Sequence, residues 1–322
     1  MTTTDMPRPV DAGPGRAASK KGTRKAGSGG LRRAVPATTL LWILACLYGL
    51  PVLWFILSSL KPASELFSYP LTLVPHNPTL SGYVTAWRSA NFSQYFLNTA
   101  LVCVITTVLT VGVSCCTGYA LAKYDNRWLK AFFVCILATT MLPGEVMLAP
   151  EFLVVRNLGL FNSFAGIILP AVLTATGCFM FRQFFLTVPD ELVEAARIDG
   201  ARELSIFLRI MVPISRPIML TLAILSFQWR WNDYIWPLLM LNDPEKFTVQ
   251  IGIQSIVGAQ NINWSVLLGA SVISMIPLIA VFLVFQRYVM GRRTGVGSSG
   301  TSTAPGGSGP RPSRGMRATP SP

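Results

Sequence analysis

Six stretches of the chain are too long and too apolar to be the core of an ordinary water-soluble fold. They run over about residues 34–60, 96–122, 131–155, 163–185, 217–241 and 265–289. A helix crosses the hydrocarbon of a bilayer in about 20 apolar residues, and there each backbone polar group must be satisfied within the protein. The sequence therefore predicts an all-α, polytopic membrane protein with six transmembrane helices. Composition agrees, since 51% of the 322 residues are hydrophobic and only 13% are charged. The first stretch is too long for a signal-peptide core and has no convincing small-residue cleavage site, so it is expected to remain as the first span.

Charge then orients the spans. The formal net charge of +13 could point to nucleic acid, but the basic residues gather in the tails and in alternate loops, and no RNA-binding signature is present. With the N-terminus inside, the inner segments hold 21 Lys and Arg and the outer segments 4. That asymmetry puts both termini, and the polar stretch 187–216, in the cytoplasm. Residues 1–33 and 291–322 are Gly-, Ser-, Pro- and Arg-rich, and read as disordered basic tails around a 34–290 membrane domain. Pro62, Pro70, Pro75 and Pro78 favour extended turns between the first two spans. All six cysteines lie in apolar runs and read as packing residues. A single histidine, His76, offers neither a metal site nor a proton relay. No catalytic set is visible, so no enzyme is expected, and no phosphate-binding Gly-x4-Gly-Lys-Ser/Thr loop exists, so the chain should bind no ATP itself.

The polar stretch 187–216 carries most of the local signals. Thr187 is placed to N-cap a short helix, with Pro189 in its first turn and Asp190, Glu191 and Glu194 near the positive end of its dipole. Gly200 ends it, because a left-handed residue is easiest without a Cβ. A second helix follows, with Leu204, Phe207, Leu208 and Met211 as an apolar stripe opposite Arg202, Ser205 and Arg209, closed by Pro213. Such a helix–bend–helix between spans has an apolar face and no lipid to bury it in, so it calls for a protein partner.

The order Glu194-Ala195-Ala196, three residues, Gly200, nine residues, Ile210, one residue, Val212-Pro213 resembles the cytoplasmic coupling motif of permease subunits of ATP-binding-cassette importers. Three further stretches are similar to the shorter of the two paired permease subunits in maltose-type systems. They are Met141-Leu142-Pro143-Gly144-Glu145 through Pro150 and on to Ser163, Phe181-Arg182-Gln183-Phe184-Phe185, and Trp231-Asn232-Asp233-Tyr234-Ile235-Trp236-Pro237-Leu238. The resemblance spans about residues 34–292; the tail after Arg293 departs from it. It implies a six-helix bundle in a bacterial inner membrane, with a coupling helix between the fourth and fifth spans. The implied partners are a homologous second permease subunit, two ATP-binding subunits carrying ATP and Mg, an extracytoplasmic solute-binding protein and a sugar substrate. Carried over residue by residue, Glu194, Ala195, Ala196, Asp199, Gly200, Ile210 and Pro213 would contact an ATP-binding subunit.

The translocation pathway is less legible. Glu145, Glu151, Arg230 and Asp233 lie in or near apolar segments, where ionised groups are costly and often functional. Arg230 and Asp233 suit a local i,i+3 pair. Glu145, Trp231, Asn232 and Tyr234 are candidate pathway residues, although aromatic residues near span ends serve equally as interfacial anchors. The rival classes are an ion-coupled transporter, which would place carboxylates in several spans, and an importer of a non-sugar solute. The cargo itself has no signature.

Overall fold

A computed structural model describes residues 29–70, 72–88 and 91–290, with side-chain detail between Thr38 and Gln286. The expected tails therefore lie outside the described residues, except that Gly29–Arg33 belong to the first helix, α1 (Gly29–Ser59). The prolines were expected to keep residues 61–93 extended, yet two helices form there, α2 (Ala63–Leu66) and α3 (Ser81–Arg88). The prolines sit before and between them, where no helical donor is lost. The second span is α4 (Phe92–Lys123), and the third is broken into α5 (Arg127–Thr139) and α6 (Gly144–Asn157), bent by 115°. Two prolines in this run, Pro143 and Pro150, are each able to interrupt a helix, and only Pro143 does so. It N-caps α6 with ψ 134°, whereas Pro150 lies inside that helix.

The fourth span is α7 (Phe164–Ile168), a 3₁₀ turn (Leu169–Ala171) and α8 (Ala175–Leu186). The polar stretch holds α9 (Asp190–Ile198), α10 (Glu203–Ile206), a π-helical turn (Phe207–Met211) and α11 (Val212–Ile214). The fifth span, expected to run to 241, stops at the end of α12 (Arg216–Trp231) and resumes as α13 (Ile235–Met240). Asn232 causes part of this: its Nδ2 donates to the Gln228 carbonyl at 2.9 Å, the local side-chain competition that makes Asn a poor helix interior residue. An unexpected helix, α14 (Val249–Val257), precedes the last span, α15 (Trp264–Met290). Among the described residues, four segments, Thr38–Ser59, Phe92–Lys123, Phe164–Leu186 and Trp264–Gln286, are long and apolar enough to cross a membrane. Two bent pairs, α5–α6 and Glu203–Ile214 with α12, bring the possible number to six.

The bundle is organised on α4, which packs along α8 and α12, while α15 packs on α3, α12 and α1. Between membrane helices there is no difference in hydrophobicity to exploit, so close backbone approach and buried hydrogen bonds supply the adhesion. Gly118 sets the α4–α8 distance: a Cβ there would lie 2.3 Å from the Phe181 Cβ and 2.9 Å from the Arg182 backbone nitrogen. Gly118→Val is therefore expected to separate the two helices at a cost of about 1–3 kcal/mol. A lowered unfolding temperature of the solubilised protein checks this, and an unchanged one contradicts it. Polar side chains of α4 satisfy backbone freed by the breaks elsewhere. Thr110 Oγ1 donates to the Ala171 carbonyl at 3.0 Å, Thr99 Oγ1 accepts from Val249 N at 2.8 Å, and Asn98 Nδ2 donates to the Glu245 and Phe247 carbonyls at 2.8 and 3.0 Å.

The loop after α2 is held by Glu65. Its carboxylate accepts from His76 N at 2.9 Å and Thr72 Oγ1 at 3.1 Å, and the His76 ring Nδ1 lies 3.1 Å away. These bonds, the backbone donor of His76 foremost, pull the Glu65 carboxyl down to about 2. A carboxylate whose folded value lies below its unfolded one stabilises above the ordinary carboxylate range and loses that contribution as pH falls through the folded value. The 65–76 clasp should thus hold at neutral pH and open as pH falls from the ordinary carboxylate range toward about 2. Proteolysis of this loop after exposure to graded acid reads the opening; Glu65→Gln should show it already at pH 7.

Candidate coupling surface and translocation cavity

Three helices join the polar stretch to the bundle through one apolar cluster. Val193 of α9, Ile206 of α10 and Met211 of the π-helical turn pack with Cys115 and Tyr119 of α4, Phe181 and Phe185 of α8, and Leu222 of α12. Ile206 and Met211, five residues apart, are both fully buried, a spacing that the wider π-helical turn brings to one face. The same turn corrects the expected stripe. Phe207 and Met211 face inward, whereas Leu204 and Leu208 are 67% and 53% exposed.

At its start, α9 departs from the expected cap. Thr187 is not its N-cap; the Thr187 Oγ1 donates to the Phe184 carbonyl at 2.7 Å and closes α8 instead. Pro189 occupies the N-cap position without a side-chain bond. What fixes this start to the bundle is Lys123, the last residue of α4. Its almost fully buried side chain donates to the Val188 carbonyl at 2.6 Å and pairs with Asp190 Oδ1 at 2.6 Å.

The end of α9 follows the sequence expectation closely. Gly200 has φ +79°, Gly200 N donates to the Arg197 carbonyl and Ala201 N to the Ala196 carbonyl, both at 3.0 Å. That pair of bonds is the Schellman arrangement, which needs a left-handed residue at its centre. Across the bend, Arg197 Nε bonds Glu203 Oε1 at 2.6 Å and Tyr124 Oη bonds Glu203 Oε2 at 2.7 Å. Arg197 first, then Tyr124, holds the Glu203 carboxyl below the ordinary carboxylate range. The sequence reading missed Lys123 and Tyr124, whose partners stand 65 to 79 residues away, and Glu203, which meets Arg197 only because the chain bends between them.

Outward, the helix pair presents Leu192, Ile198, Leu204 and Leu208, with Ile198 86% exposed. Glu194, Ala195 and Asp199 are also on the exposed side, while Ala196, Ile210 and Pro213 are partly buried. Glu194 and Arg197 further line a cavity of about 370 Å³ shared with Lys123, Asp190 and Arg182.

A second cavity, of about 330 Å³, lies where three apolar segments break. Gly144 starts α6 after its bend, Pro170 and Ala171 are in the 3₁₀ turn, and Asp233 and Ile235 flank the restart of α13. Glu145, Glu151, Thr174, Arg230 and Trp236 complete much of its wall. Arg230 Nη1 and Asp233 Oδ2 form the expected i,i+3 pair at 3.1 Å.

The family described as "Binding-protein-dependent transport system inner membrane component" matches residues 114–295, which include the whole helix–bend–helix and all three breaks. The chain belongs to this family. Among its relatives, the arabinooligosaccharides transport system permease protein AraQ of Bacillus subtilis is 35% identical over 83% of this chain and 96% of its own length. The sn-glycerol-3-phosphate transport system permease protein UgpE of Salmonella typhi is 37% identical over 69% and 82%. In structure, a chain of a bacterial ABC transporter involved in import of the acidic polysaccharide alginate superposes with a TM-score of 0.72, at 25% identity, over 81% of this chain and 98% of that one. The protein is thus a multi-pass membrane protein whose relatives are transport permeases.

Within this permease family member, the four pathway candidates separate. Glu145 lines the cavity. Trp231 does not: it is 1% exposed, stacks on Phe227 at 5.5 Å and donates from Nε1 to the Ser274 carbonyl at 2.8 Å. It is a core residue, and neither a sugar platform nor an interfacial anchor. Tyr234 packs on the apolar cluster that contains Trp236, and Asn232 is exposed outside the cavity wall. The helix break after Trp231, which the apolar run concealed, turns these neighbours in different directions.

Proposed function

We propose that this chain is one of two permease subunits of a binding-protein-dependent, ATP-driven sugar importer. It crosses the membrane six times with both termini and the α9–α11 segment in the cytoplasm. A homologous permease forms the other half of the pathway, a solute-binding protein delivers the sugar from outside, and two further subunits bind ATP and Mg. The single observation that carries this reading is the two-sided build of the coupling segment. Its inner side chains belong to the same cluster as three membrane helices, while its outer face leaves Leu192, Ile198, Leu204 and Leu208 uncovered. A subunit gripping that face would move the membrane helices with it, since a packed interior transmits displacement rather than absorbing it. Closing and reopening of the ATP-binding pair would then bias the bundle between two packings.

The cargo class rests on relatives that carry arabinooligosaccharides in their name and on the alginate importer fold. Co-expression with the neighbouring genes tests the whole reading. The expected result is a complex whose ATP hydrolysis rises with sugar-loaded binding protein and whose uptake stops when ATP is removed under a held proton gradient. Uptake that survives ATP removal would point to an ion-coupled transporter instead.

A further inference from the structure

The relatives that this chain matches carry cargo of opposite kinds: arabinooligosaccharides in one name, sn-glycerol-3-phosphate and an acidic polysaccharide in others. The cavity at the three breaks separates these. We infer that it is a cation-attracting section of the translocation pathway, and that the cargo is an uncharged or amino-bearing sugar rather than a sugar acid or phosphate ester. This deepens the importer reading and rests on it.

Two observations make this cavity the candidate pathway wall. Backbone irregular at membrane depth is tolerated only where it is buried in protein or lines a polar cavity, and the breaks at 140–143, 169–174 and 232–234 all reach this one cavity. Its wall also carries four ionisable groups: Glu145, Glu151, Arg230 and Asp233. The only cation among them is already committed, because Arg230 stands 3.1 Å from Asp233. Glu151 lies within the electrostatic reach of both members of that pair. With all three carboxylates ionised against the one guanidinium, the wall would carry a formal charge of −2. Carboxylates accept hydrogen bonds from sugar hydroxyls and from ammonium groups, and Thr174 and Trp236 add a hydroxyl and a ring face. A uronate or phosphate entering the same space would find no unpaired cation there to replace its hydration. Clefts lined by one sign of charge concentrate the opposite sign by about 10-fold or more.

The test reads this field without a known cargo. In the assembled complex, the six native cysteines are replaced by serine or alanine, and Ile235→Cys, half exposed in the cavity wall, is reacted with a cationic trimethylammonium and an anionic sulfonate methanethiosulfonate. Ala259→Cys, exposed in the loop between α14 and α15, is the reference. The cation-to-anion rate ratio at position 235 should exceed that at 259 by about 10-fold and fall to the reference in the Glu145→Gln, Glu151→Gln double variant. A ratio equal to the reference, or one favouring the anion, overturns the inference and would assign the cavity to anionic cargo through Arg230. Failure of both reagents to react overturns it as well, because a cavity closed to water is no pathway wall. A wrong importer reading shows separately, as ATP hydrolysis indifferent to loaded binding protein, whatever the ratio.

Discussion

Replacing Gly200 with proline is expected to abolish sugar-stimulated ATP hydrolysis while leaving membrane insertion intact. At φ +79° the backbone is in a region that the pyrrolidine ring, fixed near −65°, cannot enter. The substitution also removes the N–H that bonds the Arg197 carbonyl. Together these cost about 3 kcal/mol or more locally, which lowers the population of the correctly bent segment by about a hundredfold. Because the bend sits between the two helices that expose Ile198 and Leu204, the docking face would be lost as a unit. Gly200→Asn supplies the control. Asparagine enters the left-handed region more readily than other residues with a Cβ, so it should retain most of the activity. Full stimulation in the proline variant would remove the bend from the mechanism, and complete loss in both would trace the effect to something other than backbone conformation.

The second large effect is expected at Lys123. Its side chain is 3% exposed and its ammonium bonds the Val188 carbonyl and Asp190, tying the end of α4 to the start of α9. Lys123→Met keeps the stem and removes the charge. It leaves the Val188 carbonyl without its bond, at a cost of about 1.5–3 kcal/mol for a hydrogen bond to a charged group. Asp190 is mostly exposed and returns to water, so its share is small. Amide exchange across residues 190–198 should accelerate by about 10- to 100-fold, with the rest of the bundle unchanged. Unaltered exchange would mean that the apolar contact of Val193 alone holds α9.

How much of this was legible in the chain varies with the distance over which each cause acts. The apolar runs of the first, second, fourth and sixth expected spans, the Gly200 bend and the Arg230–Asp233 pair are set by residues within about one helical turn of each other, and each appears where the pattern puts it. The breaks were harder. Pro143 announced one, but Asn232 and Asp233 sit in an unbroken apolar background, so the fifth span read as one helix and Trp231 as a pathway residue. The inward Phe207 and Met211 were put on the partner-facing stripe with Leu204 and Leu208 because a 3.6-residue period was applied across a π-helical turn. Lys123 belongs to no local pattern, since its partners lie 65 and 67 residues away. Nothing local in the chain could supply that pairing.

The central claim is that the face carrying Ile198 meets an ATP-binding subunit. Ile198→Cys in a cysteine-free chain, co-assembled with its partners and treated with a short bifunctional thiol reagent, tests it most directly. The expected product is a covalent adduct between this chain and an ATP-binding subunit bearing a cysteine on its permease-facing surface, with a yield that changes when ATP is bound. An Ile198→Cys side chain that instead reacts with an impermeant thiol reagent from the extracytoplasmic face of intact cells, and forms no such adduct, would contradict it.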